Sequence, residues 1–271
     1  MIQMIVKRRT VPLCFKKNLL RKVKIVVMII SMLRSLLRGI KGILYPKRCP
    51  ACKIKLNEAG EELICQKCYS QIKMNLPPFC VSCGRHLDNK SFSKNICPGC
   101  TRKRLHFDRA FCPCVYDGIT KTLIHEFKYK GKDNLAKPLS RIMIDFIREY
   151  RLPMEYLDLI LPIPLHKARM REREFNQAEA LGRLIAGEFK KDFPLNMLLR
   201  KRNTKTQTGL KDNERALNVS GSFAVAKGIN LKGRNLLLVD DVFTTGATSS
   251  EAALTLKKAG AQAVFVLALA N

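Results

Sequence analysis

The stretch Leu236-Leu-Leu-Val-Asp-Asp-Val-Phe-Thr-Thr-Gly-Ala-Thr248 decides the fold of this chain. Its apolar run, residues 236–239, predicts a strand that is buried on both faces, as strands of parallel sheets are. A helix is expected to follow from about Ser249 to Lys258. Because ligands of open α/β sheets bind at the carboxyl ends of the strands, the residues between this strand and this helix are the first candidates for a functional site.

Those residues suit a sugar phosphate. Asp240 and Asp241 provide carboxylates for ring hydroxyls, and the turn Thr244–Thr248 opens a helix N-terminus, whose free N–H groups favour a phosphate. Gly246 lets the backbone approach a ligand closely, and the threonine hydroxyls add donors. The plainer alternative is an ordinary strand, turn and helix with an aspartate as the N-cap.

The same stretch resembles the signature of type I phosphoribosyltransferases, which bind phosphoribosyl pyrophosphate (PRPP). The resemblance extends from the strand to the start of the helix, so it is more specific than a lone glycine-rich loop. Elsewhere, strands that alternate with helices predict an α/β fold with a mostly parallel sheet covered on both faces. The expected helices span residues 119–131, 134–150 and 175–190, and the expected strands span residues 110–116, 157–161, 195–199, 223–226 and 263–270.

Charge and cysteine content narrow the class of protein. The formal net charge of +28 and the pI near 10.0 indicate polyanionic partners, such as nucleic acid or phosphorylated metabolites, although composition alone also allows a basic protein without a specific anion site. Of the eleven cysteines, eight form four Cys-x-x-Cys pairs. Next to a metabolite-binding sheet, such pairs indicate metal binding in a reducing compartment rather than disulfides.

The cysteine pairs predict two structural Zn²⁺ sites. Two thiolates in a tight knuckle hold one side of a tetrahedral zinc ion, and a second knuckle closes the other side. Sequential pairing of the knuckles is expected, interleaved pairing stays open, and a redox-active or disulfide set is the alternative to metal. The predicted ligands are Cys49, Cys52, Cys65, Cys68, Cys80, Cys83, Cys97 and Cys100. Cys112 and Cys114 are interpreted as buried apolar residues.

Residues 1–44 form a basic leader without Asp or Glu. Its apolar run at 25–33 is shorter than the ~20 residues that span a bilayer. We interpret Met28 or Met32 as the true start, followed by a short amphipathic helix at 32–44 that packs against the neighbouring domain or contacts a membrane surface. The expected domains are this leader, a double zinc ribbon at 45–108 that ends in a basic linker, and a phosphoribosyltransferase-like domain at 109–271.

Two basic segments follow the predicted strands. The loop 162–173 lies on the same carboxyl-end side of the sheet as the acid pair, where it suits a second anionic group such as a pyrophosphate. The segment 200–215 is long, polar and basic, and is either a lid over bound phosphates or a solvated insertion.

The order of these motifs resembles that of the ComF family of competence proteins, over about residues 45–271. Besides the cysteine knuckles and the Asp-Asp-Thr-Thr-Gly segment, the resemblance rests on Ile124-His-Glu-Phe-Lys-Tyr-Lys-Gly131, Leu161-Pro-Ile-Pro-Leu-His166, Arg173-Glu-Phe-Asn-Gln-Ala178, Arg202-Asn-Thr-Lys-Thr-Gln207 and Asn218-Val-Ser-Gly-Ser-Phe223. It implies a bacterial cytoplasmic protein with a double zinc ribbon and a type I phosphoribosyltransferase domain. Members are associated with incoming single-stranded DNA during natural transformation.

The resemblance also implies roles for single residues. Asp240 and Asp241 would bind the ribose hydroxyls, directly or through Mg²⁺, and Arg202–Gln207 would be the mobile loop. The implied ligands of the 5′-phosphate are Thr244, Thr245, Gly246, Ala247 and Thr248, and those that face the pyrophosphate are His166, Lys167 and Arg169.

One position departs from the family pattern. The family usually reads Arg-Gly-Phe-Asn-Gln, and here Glu174 replaces the glycine. An inward-pointing carboxylate would oppose anion binding, whereas a carboxylate that caps the following helix would be favourable.

The function expected from these residues is PRPP binding by a protein that handles incoming single-stranded DNA. Two alternatives stay open: an active phosphoribosyltransferase of nucleotide metabolism, and a non-catalytic regulator that senses PRPP. Catalysis is undecided because no acceptor site is recognisable. Competence proteins such as a helicase-like DNA translocase are the expected protein partners.

Overall fold

The computed structural model of the chain describes Met28 and residues 46–57, 63–88, 95–129, 132–202 and 218–271. The predicted leader helix at 32–44 and all of the Arg202–Gln207 segment except Arg202 lie outside these residues. The chain divides into two compact units, residues 1–48 with 55–61, and residues 49–54 with 62–271. In the first unit, Arg48 and Lys55 form an antiparallel bridge. The second unit contains the predicted sites.

A four-stranded parallel sheet forms the centre of the second unit. The strands of the chain are β1 (Arg109–Phe111), β2 (Leu159–Pro162), β3 (Leu198–Arg200), β4 (Phe223–Val225), β5 (Asn235–Val242) and β6 (Ala263–Ala270). The sheet has the order β1-β6-β5-β2, and β3 pairs with β4 in a separate antiparallel sheet. The mostly parallel α/β architecture predicted above is therefore confirmed.

Helices cover both faces of this sheet. They are α1 (Gln66–Ser70), α2 (Pro98–Thr101), α3 (Gly118–Lys128), α4 (Ala136–Glu149), α5 (Lys167–Arg173), α6 (Gln177–Glu188) and α7 (Ala247–Lys258), with 3-10 turns at Asp133–Leu135 and Met154–Tyr156. Alternate residues of β5 face opposite sides of the sheet. Leu236 and Leu238 pack in one cluster with residues of α7, whereas Val239 lies beside Gly182 of α6. None of the helices among the described residues is long and apolar enough to cross a membrane.

The second pair of cysteine knuckles packs into the same apolar cluster as the sheet. Cys80, Cys83, Cys97 and Cys100 are all buried there, with residues of β1, β5 and β6. Gly84 has a φ of +69°, and a Cβ at this position would lie 2.5 Å from the carbonyl oxygen of Ala110, so only glycine allows this approach. The segment 102–108, expected to be a linker, joins this core: Phe107 is 5% exposed, and its ring lies 5.7 Å from that of Phe243, edge to face.

Three expected elements differ from the observed ones. The strand expected at 110–116 ends at Phe111, because Pro113 lacks an N–H for the ladder, and Cys114 makes only isolated bridges, to Met74 and to Ala270. The strand expected at 195–199 begins at Leu198, because Asn196 has a left-handed φ of +62°. The loop expected at 162–173 contains α5.

Candidate functional site

The acid pair lies at the carboxyl end of β5, as predicted. Asp241 is 8% exposed, and its N–H donates to Oδ1 of Asp240 at 2.8 Å. Burial and the neighbouring charge of Asp241 raise the pKa of Asp240 above its usual range. Two neighbouring carboxylates with little solvent exposure gain stability from a cation.

A lysine outside the predicted site residues supplies one such cation. Lys128, the last residue of α3, places Nζ 2.9 Å from Oδ2 of Asp241. Burial alone would lower the pKa of Lys128, but the charges of Asp241 and Asp240 outweigh it and raise that pKa. The ion pair identifies this lysine as part of the site, because in the sequence Lys128 and Lys130 flank Tyr129, a basic–aromatic alternation that suits phosphate and base binding but on its own fits a solvated helix end better.

The turn between β5 and α7 has the shape of an anion cup. Gly246 is the N-cap residue of α7 with a φ of +79°, and a Cβ there would lie 2.6 Å from Cζ of the buried Phe243. Oγ1 of Thr245 accepts the N–H of Ala247 at 3.4 Å. The five predicted phosphate ligands, residues 244–248, thus form one continuous turn at the start of α7, where backbone N–H groups favour an anion.

The predicted pyrophosphate residues begin α5. His166 is the N-cap of this helix, since its Nδ1 accepts the N–H of Ala168 at 3.2 Å. His166 and Lys167 line a cavity of about 780 Å³, which Arg200 also lines. Among the described contacts, none joins His166 or Lys167 to the acid pair. Arg169 instead acts electrostatically on Arg200.

Two further arginines belong to this site and were missed as site residues. Burial lowers the pKa of Arg200, and the charges of Arg169 and Arg173 lower it further, while Asp240 opposes them. The charge of Arg173 also acts on Lys128. A group of cations around one acid pair is expected to attract a polyanion. The sequence offered only their position in basic segments as a signal.

Glu174 does not cap the following helix. It ends α5 with a left-handed φ of +68°, its N–H donates to the Met170 carbonyl at 2.9 Å, and the residue is exposed. The cap of α6 is Asn176, whose Oδ1 accepts the N–H of Ala178 at 3.1 Å. A left-handed backbone explains why glycine suits this position.

The cysteines form two tetrads in sequential pairing. Cys49, Cys52, Cys65 and Cys68 form one, and Cys80, Cys83, Cys97 and Cys100 form the other, with all sulfurs of a tetrad within 4.8 Å of one another. Zinc–sulfur bonds of ~2.3 Å in a tetrahedron require sulfurs ~3.8 Å apart, so both tetrads are consistent with zinc. The first tetrad is partly exposed, whereas the second is buried throughout.

The first knuckle is tied to α3 by an ion pair. Nζ of Lys53 donates to the Pro50 carbonyl at 2.6 Å and to Oε1 of Glu126 at 3.0 Å, and Lys132 pairs with the other oxygen of Glu126. Burial would raise the pKa of Glu126, but the two lysines outweigh it and lower that pKa to about 2. Glu126 and Lys128 therefore connect one helix end to the first tetrad and to the acid pair.

The remaining cysteines agree with their interpretation as apolar residues. Cys112 and Cys114 are buried, and burial raises the pKa of both thiols, that of Cys114 to about 12. Both thiols therefore stay protonated at neutral pH.

A second cleft adjoins the anion cup. It has a volume of about 400 Å³, and Thr244 and Thr245 line one side. Arg85, Gly99 and Lys103, from the second cysteine tetrad and the segment after it, line the other side. This part of the chain places two cations next to the turn predicted to hold a phosphate.

Comparisons with known proteins agree with this architecture. The family described as double zinc ribbon domain matches residues 40–101. Competence protein F of Haemophilus influenzae is 30% identical over 229 residues, which cover 83% of this chain and 96% of that protein. The DNA utilization protein YhgH of Escherichia coli K12 is 28% identical over 226 residues, which cover 83% of this chain and 96% of that protein.

Competence protein ComFC of Bacillus subtilis is 30% identical over 206 residues, which cover 74% of this chain and 80% of that protein. The tandem cysteine tetrads, the parallel sheet and these similarities lead to the same assignment. The chain belongs to the ComF family of competence proteins.

Proposed function

We propose that this protein binds Mg²⁺–PRPP at the end of β5 and handles incoming single-stranded DNA in competence-related DNA uptake. The observation that carries the proposal is the acid pair Asp240 and Asp241, which lies a few residues before the turn whose N-cap residue, Gly246, has no side chain. Carboxylates suit the ribose hydroxyls, and the turn suits the 5′-phosphate. The names of the relatives support a role in DNA uptake or use.

The residues of this site fit Mg²⁺. Carboxylate oxygens are the protein ligands that Mg²⁺ prefers, and burial and the charge of Asp241, which raise the pKa of Asp240, are both effects that a bound cation would offset. When bound, Mg²⁺ would neutralise charge on the ribose and pyrophosphate oxygens. Lys128 orients Asp241, while Arg169, Arg173 and Arg200 offset the charge of the pyrophosphate.

Single-stranded DNA is proposed as a second ligand because of charge. The formal net charge is +28, and the cleft beside Thr244 carries Arg85 and Lys103. Binding through phosphates weakens steeply with salt, so this part of the proposal predicts a strong salt dependence of DNA affinity. The two tetrads would each hold one structural Zn²⁺, since sites with four cysteine ligands keep no position open for substrate. A competence protein such as a helicase-like translocase is the proposed partner, and the proposed location is the cytoplasm.

Calorimetric titration of Mg²⁺–PRPP tests the ribose-phosphate site. We expect saturable binding to the zinc-loaded wild type and its loss in the Asp240→Asn, Asp241→Asn double variant. Asp145→Asn is the matched control, because Asp145 is an exposed carboxylate on α4 that pairs with Arg141. Absence of binding to the folded wild type would remove PRPP from the proposal, and equal loss in the control would remove the acid pair.

An active phosphoribosyltransferase is the second candidate. The observation that favours it is the group Arg169, Arg173 and Arg200, because cations placed at a departing pyrophosphate stabilise the transition state. Pyrophosphate release in the presence of nucleobases and PRPP distinguishes the two functions. Release that disappears in the Asp240→Asn, Asp241→Asn variant would establish the enzyme, whereas binding without release favours the PRPP-sensing regulator.

A further inference from the structure

We propose that Tyr129 is a stacking platform for a purine or pyrimidine base beside the acid pair. The inference rests on the proposed function, because the ribose-phosphate site would place the sugar next to this ring. PRPP carries no base, so the platform assigns to the site a second kind of ligand, one that brings a flat heterocycle. Free bases, nucleotides and single strands share this chemistry.

The ring of Tyr129 is partly exposed to solvent, although burial of an aromatic ring would be favourable. Tyr129 is 36% exposed and follows the last residue of α3. The guanidinium of Arg173 lies over its ring, 5.7 Å from the ring centroid. The exposed His125, one helical turn earlier, places its ring centroid 4.9 Å from that of Tyr129. Two rings tilted by 46° to each other and one guanidinium thus form a π-rich patch at the end of α3.

This patch adjoins the acid pair. The neighbouring residue Lys128 contacts Asp241 at 2.9 Å, and the charge of Arg173 acts on both Lys128 and Arg200. The backbone that carries the patch is held in place, because Phe127 is fully buried and its carbonyl accepts a hydrogen bond from Nε2 of Gln177 at 3.4 Å. The ring therefore has a defined position relative to the proposed ribose site.

The chemistry of the patch selects a base. Every nucleobase has a π-face that stacks on an aromatic ring, and an arginine adds a cation–π contribution. A sugar phosphate alone would use Lys128 and Arg173 but not the ring. An exposed ring with an arginine over it and a lysine next to it in the chain is typical of sites that hold a base and its phosphate together.

The absence of tryptophan from the chain makes a direct test possible. Tyr129→Trp introduces the sole indole, and a base that stacks on it quenches its fluorescence. The probes are a dT12 oligonucleotide, an abasic strand of the same length, thymidine 5′-monophosphate and free adenine. We expect quenching by the base-bearing strand and not by the abasic strand, and the two small probes show whether a free base or nucleotide is sufficient.

Tyr156→Trp is the matched control. Tyr156 is 70% exposed and precedes the amino end of β2, whereas the acid pair lies at the carboxyl end of the parallel neighbour β5. Quenching of both indoles, or equal quenching of Tyr129→Trp by the base-bearing and abasic strands, would overturn the platform.

Affinity provides the second measurement. Tyr129→Leu is expected to weaken dT12 binding by about 5- to 150-fold, the range found when one stacked aromatic residue is removed, while Tyr129→Phe retains the affinity. PRPP titration of the wild type tests the proposed function separately. If Tyr129→Leu leaves dT12 affinity unchanged, or loses PRPP and dT12 binding together, the ring does not act as a base platform.

Discussion

At the scale of single residues, Glu174 occupies a backbone position that suits glycine. Its φ is +68° and its side chain is exposed. Glu174→Gly is therefore expected to increase the free energy of unfolding by about 1 kcal/mol, because a side chain in the left-handed region costs roughly that amount. Urea denaturation measures the change. Glu174→Ala removes the charge but keeps the Cβ, so equal stabilisation in both variants would show that charge, not backbone strain, is responsible.

A comparison of Gly246 with Gly228 distinguishes the cost of a left-handed backbone from the cost of a steric clash at Cβ. Their φ angles are +79° and +80°, but a Cβ would lie 2.6 Å from Phe243 at Gly246 and would meet nothing within 4 Å at Gly228. We expect Gly228→Ala to cost about 1 kcal/mol and Gly246→Ala about 3 kcal/mol, because Phe243 is held against Phe107 and cannot yield. Thermal denaturation compares the two variants. Equal costs would mean that the cup tolerates a side chain.

Residue types and spacing predicted the placement of the acid pair at the end of β5, of Gly246 in the turn that follows, and of the eight cysteines in two tetrads. They did not mark Lys128, Arg173 and Arg200 as site residues, because Lys128 reaches Asp241, Arg200 acts on Asp240, and Arg173 acts on Lys128 and Arg200 only through contacts between elements far apart in the chain. Long-range contacts of this kind leave no local pattern. The chain has many other basic residues, and neither type nor spacing marks these.

At the scale of elements, helix boundaries agreed with expectation better than strand boundaries did. The helix expected at 134–150 is α4, Ala136–Glu149, since its apolar period alone defines it. The short strands β1 and β3 depend on their partners and on single residues such as Pro113 and Asn196. Short strands are therefore where sequence patterns were least informative.

The C-terminal turn of α3 should make stability depend on pH. The pKa of Glu126 is about 2 in the folded chain, below its unfolded value, so the ionised form stabilises the fold. This contribution, on the order of 3 kcal/mol, is complete above about pH 5 and is lost as the pH falls towards 2. Unfolding free energies measured between pH 6 and 2 test it.

Glu126→Gln is expected to be less stable than the wild type at pH 6 and to show a flatter decline in acid. Glu149→Gln is the control, because Glu149 is an exposed carboxylate at the end of α4. The same acid dependence in Glu126→Gln and wild type would contradict a stabilising role for the pairs with Lys53 and Lys132.

At the scale of the whole molecule, the two tetrads are expected to contribute unequally. Cys83 is buried in the same cluster as the sheet, whereas Cys52 is exposed. Cys83→Ser should lower the free energy of unfolding by roughly 3 kcal/mol or more, and Cys52→Ser by less than half of that, because a lost core ligand also leaves a polar group in an apolar site. Calorimetric Tm values of zinc-loaded variants measure the difference, and equal losses would count against it.

The close approach of Gly84 to Ala110 has a consequence for how this protein can be divided. With no room for even a methyl group between them, the ribbon and the sheet share one interior surface. Cutting the chain after residue 108 would expose the apolar surface of the sheet that the second tetrad covers, and this surface would promote aggregation. The ribbon therefore cannot be replaced independently of the sheet by the ribbon of a distant relative. A chimaera would have to take Gly84 and the strand that contains Ala110 from the same protein.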